Sequence, residues 1–287
     1  MPLDPSLQTI FVDPVRKDGL KYVGEYVRGR WWNGFLVGNG VRYQVVRRIP
    51  DFVGLPCPEG PIFNKIELFM RLWDNLWDIS EVRKACKEIA CVDGPLLEVA
   101  AGPGGGFVPG LLRLKQDLII LMSDKDMRVL EDWRCFSSRK NAVDKAGQIS
   151  LSFSAFDAEK MPIRDGSFSA VTSLGGFNNI DSNQINAVRE AFRVLRRGGL
   201  LYLLEGWFER EEISRTMPEL VRYIERFYPG LLGGESLGSI LEDAGFRMLE
   251  RLEISSPWLR YYSNQVLLIL SFNRLKPKFS LIKAVKP

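Results

Sequence analysis

Leu96-Leu97-Glu98-Val99-Ala100-Ala101-Gly102-Pro103-Gly104-Gly105-Gly106-Phe107 joins a short apolar run, an acid and a glycine loop. Glycines without a Cβ let a ligand lie against the backbone, and a loop between strand and helix turns N–H groups toward it. Such a segment suits the holding of a nucleotide-type ligand at the carboxyl end of a parallel sheet. A plain glycine turn is an equal reading of the loop in isolation. A dinucleotide fingerprint begun at Gly102 would need glycine where Phe107 stands, and no Gly-Lys-Ser/Thr follows to make a P-loop. Asp124 follows a second apolar run, where a carboxylate can accept hydrogen bonds from both hydroxyls of a ribose. Asp126 is a near alternative, and either acid also suits a helix N-cap.

The chain has no histidine. Imidazole is therefore absent as a general base, as the partner of a nucleophilic serine and as a zinc ligand. Cys57, Cys86, Cys91 and Cys135 form no C-x-x-C pair and read as reduced thiols of a cytoplasmic protein. No metal site is expected.

The elements that must position these residues begin near residue 93. Apolar runs near 95–100, 117–122, 149–155, 168–173, 199–205, 246–254 and 264–272 alternate with helical patterns such as Gln184 to Leu195 and Ser236 to Ala244. This predicts an α/β fold with a seven-stranded sheet and helices on both faces over residues 93–272. Glu211 to Tyr228 is amphipathic and reads as an inserted helix within about 206–235. Residues 1–92 differ. Phe35 to Val46 predicts a β-hairpin closed on Asn39-Gly40. Pro50, Pro56, Pro58 and Pro61 make a connector, and Phe63, Ile66, Met70, Trp73 and Trp77 mark one apolar helix face suited to packing over the core.

The last segment, 273–287, carries Arg274, Lys276, Lys278, Lys283 and Lys286 and no acid. Without those five, the 39 bases become 34 against 35 acids, so the body is neutral and the basic segment reads as a frayed tail. A neutral body argues against a nucleic-acid partner. No apolar run reaches spanning length, and Met-Pro-Leu-Asp-Pro does not resemble a signal peptide.

Three further motifs follow the glycine loop in order. The first is Asp157-Ala158-Glu159-Lys160-Met161-Pro162-Ile163-Arg164-Asp165-Gly166-Ser167-Phe168-Ser169, leading to Thr172-Ser173-Leu174-Gly175-Gly176-Phe177-Asn178-Asn179-Ile180. The second is Glu190-Ala191-Phe192-Arg193-Val194-Leu195-Arg196-Arg197-Gly198-Gly199, and the third is Leu241-Glu242-Asp243-Ala244-Gly245-Phe246. Together they resemble the class I S-adenosylmethionine-dependent methyltransferases, in particular the small-molecule group (type 11) that includes ubiquinone and menaquinone biosynthesis methyltransferases. That family's Asp-Ala-Glu-x-x-Pro-x-x-Asp-x-Ser-Phe-Asp pattern is met except at Ser169, and Arg197 replaces a usual proline.

The resemblance implies a Rossmann-like methyltransferase sheet, S-adenosylmethionine as cofactor and in-line methyl transfer to a small-molecule acceptor. Protein or RNA methylation, and a non-catalytic cofactor-binding regulator, are the alternatives. It assigns Glu98 to hold the loop backbone, and Ala100, Gly102 and Gly104 to face the methionine part of the cofactor. Asp124 would take the ribose. Asp157 and the Ala158 backbone would take the adenine, with Phe156 and Met161 as ring contacts or as plain core. Ser173 and Gly175 would lie opposite the reactive methyl. Asn178, Asp181, Tyr22 and Tyr26 are candidates for positioning or deprotonating the acceptor, and Trp31 and Trp32 either join the tyrosines in an aromatic lid or pack in the core. Gly34-Phe35-Leu36, Val41-Arg42-Tyr43 and Arg48-Ile49-Pro50-Asp51-Phe52-Val53 are similar to the end of a zinc-ribbon-derived β module fused to some methyltransferases. The cysteines of such a module are missing, so a structural remnant without zinc is expected.

Overall fold

A computed structural model describes residues 4–27, 30–54, 63–114, 117–139, 149–180, 184–227, 231–232, 234–255, 275 and 277–287. The expected strand at 264–272, Cys57 and Asp181 lie outside the described residues. Among the described residues, eleven strands form one sheet. They are β1 (Lys21–Val27), β2 (Arg30–Gly38), β3 (Val41–Val46), β4 (Ile49–Asp51), β5 (Leu96–Glu98), β6 (Ile119–Asp124), β7 (Ser150–Ala155), β8 (Phe168–Leu174), β9 (Leu195–Trp207), β10 (Arg247–Ile254) and β11 (Lys278–Val285). Their order is β1-β2-β3-β4-β7-β6-β5-β8-β9-β11-β10. The α/β fold is as expected, but the described sheet has eleven strands, with the N-terminal four continuous with the rest, where seven and a separate hairpin were expected.

β5 to β9 run parallel, and every residue of β5 and β8 is buried. Strands buried along their whole length in this way need cover on both faces. One face packs on α1 (Phe63–Trp77), α2 (Ser80–Ala90) and α4 (Met127–Arg139), through Ile66, Trp73, Ile89, Leu130 and Trp133. The other packs on α5 (Gln184–Val194) and α8 (Gly234–Asp243), through Ala187, Val188, Leu237 and Leu241. The short α3 (Val108–Leu111) follows the glycine loop. No helix among the described residues is long and apolar enough to cross a membrane.

Two sequence readings change in the structure. The basic segment is no free tail, because β11 lies between β9 and β10 and is antiparallel to both. Its buried run from Phe279 to Ile282, bounded by Lys278 and Lys283, fits a covered strand, and Lys283 and Lys278 reach Glu88 and Glu209 at 2.8 and 2.5 Å. The insertion is two helices, α6 (Arg210–Thr216) and α7 (Pro218–Phe227), since Pro218 cannot continue the hydrogen-bond ladder of a helix that precedes it.

The N-terminal strands form a meander rather than an isolated hairpin. Asn39 and Gly40 close the β2–β3 turn with φ of 43° and 81°, as a two-residue turn between twisted strands requires. β4 then joins β7 in parallel at Asp51 and Ala155. The segment before β1 ties down across the sheet, with Phe11 bridging Ile163 and the Asp4 N–H donating to Ser152 at 2.9 Å.

Candidate functional site

Glu98 ends β5 fully buried beneath the glycine loop. Its Oε2 accepts from the Phe107 N–H at 3.1 Å and from the Thr172 hydroxyl at 2.6 Å, which fixes the far end of the loop to the sheet. Oε1 is buried with no partner among the described residues. Burial pushes the carboxyl up to about 8, against the lowering effect of those hydrogen bonds. Gly106 makes room for it, since a Cβ there would stand 1.8 Å from Oε1 and the backbone has φ of +57°. The loop and its acid are therefore built as one piece.

At the near end, Gly102 is held from both sides. Its N–H donates to Asp124 at 2.8 Å, and its carbonyl accepts from the Trp133 indole at 3.1 Å. A Cβ at Gly102 would meet nothing within 4 Å, so the loop presents open space here. Ala100 adopts φ of 51°, the left-handed region that favours glycine, so alanine is strained where the related family has glycine. Trp133 was not legible as a site residue; the only signal was a tryptophan on the helix after β6.

Asp124 and Asp157 lie at the carboxyl ends of neighbouring strands. Asp124 pairs in register with Ala155, and its carbonyl accepts from the Phe156 N–H at 3.1 Å. Its other carboxylate oxygen accepts from the Asp126 N–H at 2.8 Å, and burial raises its pKa. Asp126 itself turns to Arg128, which leaves Asp124 as the acid beside the loop. Asp157 accepts from the Glu159 N–H at 3.0 Å, and Lys125 stands 3.5 Å away. Ala158 follows in the same turn, while Phe156 and Met161 are core residues at 2% and 0% exposure.

The segment after β7 is clamped by the second motif. Arg193 donates to the carbonyls of Ile163 and Met161 at 2.5 and 3.0 Å and pairs with Asp165 and Glu190, both at 2.6 Å. Lys17 adds contacts to Glu190 and to the Met161 carbonyl at 3.1 and 3.2 Å. The Asp157–Asp165 and Glu190–Arg193 motifs thus meet as one ion-pair network.

The acceptor-side candidates are not brought together. Ser173 is fully buried and donates to the Val99 carbonyl at 2.9 Å, so its hydroxyl faces the sheet rather than the loop opening. Gly175, with φ of 69°, ends the strand and donates to the Leu204 carbonyl at 2.9 Å. Asn178 is spent on structure: it donates to the Gly206 carbonyl at 2.5 Å and accepts from Gln184 at 3.1 Å. Tyr22 and Tyr26 sit on β1, six strands from β5. Tyr22 stacks on buried Trp31 at 4.5 Å and its hydroxyl lies 2.7 and 2.9 Å from the carbonyls of Glu25 and Asn33, so these rings brace the meander. Sequence reading passed over Glu205, an acid inside an apolar strand. It holds the Phe177 and Asn178 N–H groups at 3.1 and 3.3 Å, and burial pushes it up to about 8, with the nearby charge of Glu98 adding to the rise.

A doubly covered parallel sheet with an antiparallel last pair, and a glycine loop leaving its central strand, defines a methyltransferase-type α/β domain. Residues 97–203 match the methyltransferase domain family. The demethylmenaquinone methyltransferase of Chlorobaculum parvum is 24% identical over 204 residues, 62% of this chain and 76% of that protein. The ubiquinone/menaquinone biosynthesis C-methyltransferase UbiE of Pseudomonas paraeruginosa is 39% identical over 67 residues, 23% of this chain and 26% of that protein. The fold also resembles geranyl diphosphate C-methyltransferase from Streptomyces coelicolor, with a TM-score of 0.52 and 14% identity over 72% of this chain and 76% of that one. It resembles the [4+2]-cyclase SpnF with the same score and 19% identity, over 72% and 81% of the two chains. The resemblance seen in the motifs is borne out: residues 97–203 match a methyltransferase domain, and the chain is similar to quinone methyltransferases over part of its length.

Proposed function

We propose that this chain transfers a methyl group from S-adenosylmethionine to a small-molecule acceptor. The observation that carries this reading is the open space at Gly102 beside the Asp124 carboxylate, at the carboxyl ends of β5 and β6. The donor set fits the cofactor: loop N–H groups, a carboxylate for ribose hydroxyls and a second one a strand further on. When bound, the cofactor supplies a methyl group already activated on a positively charged sulfur. Glu98 holds the loop in shape, and the backbone at Ala100, Gly102 and Gly104 takes the methionine part. Asp124 accepts from the ribose, while Asp157 and the Ala158 N–H hold the adenine. Gly175 and the backbone of Ser173 border the reacting side.

With no histidine, and with Asn178 engaged in the fold, the chain contributes alignment and exclusion of water rather than proton transfer. The acceptor must then bring its own nucleophile, as an amine, thiolate or enolate does. The names of the relatives make a reduced quinone, whose ring carbon is enolate-like, the first acceptor to test. The test is incubation with methyl-labelled cofactor and either a demethylated quinol or fractionated cell extract. Label in the small-molecule fraction is the expected result. Label confined to protein or RNA would overturn the acceptor class, and cofactor binding without any transfer would favour a regulatory role.

A further inference from the structure

The outer face of the meander carries a feature that methyl transfer does not use. Between Gly24 and Tyr26 of β1 the pairing slips, so that the partner positions on β2 run from Gly34 to Trp31. Such a bulge reverses the alternation of side chains along the strand. Trp31 therefore joins Leu36 on the buried face, at 3% and 0% exposure, while Trp32 comes to the outer face with Phe35. A groove of about 520 Å³ lies there, lined by Trp32, Phe35, Gln44, Val46 and Arg47 among others. The Arg42 guanidinium stands 3.2 Å over the centre of the Phe35 ring, and that of Arg48 stands 4.7 Å over Trp32.

The same stretch of sequence is basic: positions 21 to 51 hold six bases and two acids, a net +4 that equals the net charge of the whole chain. The basic end of the chain offers no rival patch among its described residues. Lys278 and Lys283 pair with acids, and Lys286 donates to the carbonyls of Phe192 and Leu195 at 2.8 and 2.7 Å. Asp51 is turned to the N–H groups of Val53 and Gly54 at 2.9 and 3.0 Å, and Glu131 reaches Arg47 only at 4.0 Å.

We propose that this face binds single-stranded nucleic acid. Bases stack on Trp32, Phe35 and the guanidinium planes above them, and phosphates follow Arg42 and Arg47. Every base offers a π-face, and a ring or guanidinium plane stacks on it without reading its edges. An acidic peptide would satisfy the arginines but leave the flat rings without flat partners, so charge and shape together favour the nucleic acid. The inference revises the expectation drawn from the neutral body, which assigned the basic excess to the chain's end. It stands apart from the small-molecule reading, and either can fail alone.

The test titrates the full-length protein into fluorescein-labelled oligouridine of about twelve nucleotides, read by anisotropy from about 50 to 200 mM salt. Trp32→Ala is expected to weaken binding roughly five- to a hundredfold. Phe35→Leu, which keeps the apolar bulk and removes the π-face, is expected to weaken it in the same direction. Arg42→Gln combined with Arg47→Gln is expected to lower the slope of log K against log salt by roughly 1.4, about 0.7 for each phosphate contact. Absence of binding at the lowest salt would overturn the proposal. So would binding left unchanged by both aromatic variants, or equal competition by polyglutamate of the same length, since charge alone would then explain the interaction.

Discussion

In the sheet from β5 to β11, several charged side chains are turned on one another or on buried backbone: Arg193 closes the segment after β7, Lys283 reaches Glu88, and Glu98 and Glu205 hold the loops after β5 and β8. In β1 to β4, Arg42 and Arg48 instead lie over aromatic rings, and the Arg47 side chain is 62% exposed. The two regions share a sheet but are joined in register at a single parallel pair, Asp51 with Ala155. A charge used for building raises the stakes of its loss, because removing one partner leaves others buried and unpaired. A charge left facing solvent can be changed with little effect on the fold. Substitutions should therefore hurt stability in the first region and surface properties in the second.

The largest effect is expected at Gly106→Ala. A methyl group there collides with the Glu98 carboxylate in a left-handed backbone, at a cost of roughly 3–5 kcal/mol. Denaturant unfolding would measure it, and a stability loss below that of an ordinary surface change would break the account of the loop. Arg193→Ala follows at about 2–4 kcal/mol, since two carbonyls and two carboxylates lose their partner at a site only 18% exposed. The smallest is Asn39→Ala in the meander turn, about 1 kcal/mol for placing a Cβ-bearing residue without a compensating side-chain amide at positive φ.

The buried acids sharpen the contrast through pH. Glu98 titrates near 4.5 when unfolded and at about 8 in the fold, so the folded state holds its proton more tightly. Its contribution to stability is then fully present below pH 4.5 and is lost as pH rises toward about 8. Glu98→Gln should flatten this decline, measured as unfolding midpoint across that range. An unchanged pH profile in the variant would mean that Glu98 is ionised in the folded protein.

Much of the methyltransferase core was legible because its signals are local. Glycine spacing, acids at strand ends and apolar runs name β5 to β10 and place Glu98, Asp124 and Asp157 without knowledge of distant contacts. What sequence missed depends on long-range partners. The lysines at both sides of Phe279 to Ile282 look like a solvated end until Glu88 and Glu209 are seen opposite them. Ser173 and Asn178 read as ligand contacts because their position in the motif is right, yet their side chains are consumed by the Val99 and Gly206 carbonyls. Where the tyrosines lie cannot be read locally, because sequence does not give strand order, and β1 proves to be the edge farthest along the meander. Trp32 and Phe35 share a face only because of a bulge, which shifts side-chain parity without a mark in composition.

The central claim is that Asp124 and the glycine loop together hold S-adenosylmethionine. Calorimetric titration of the cofactor into wild-type protein and into Asp124→Ala, with thermal unfolding to verify the fold, tests it most directly. The account predicts binding in the wild type and a loss of about 1–3 kcal/mol in the variant, from ribose hydroxyls and the Gly102 N–H left without their acceptor. Wild-type affinity in a folded Asp124→Ala protein would contradict it.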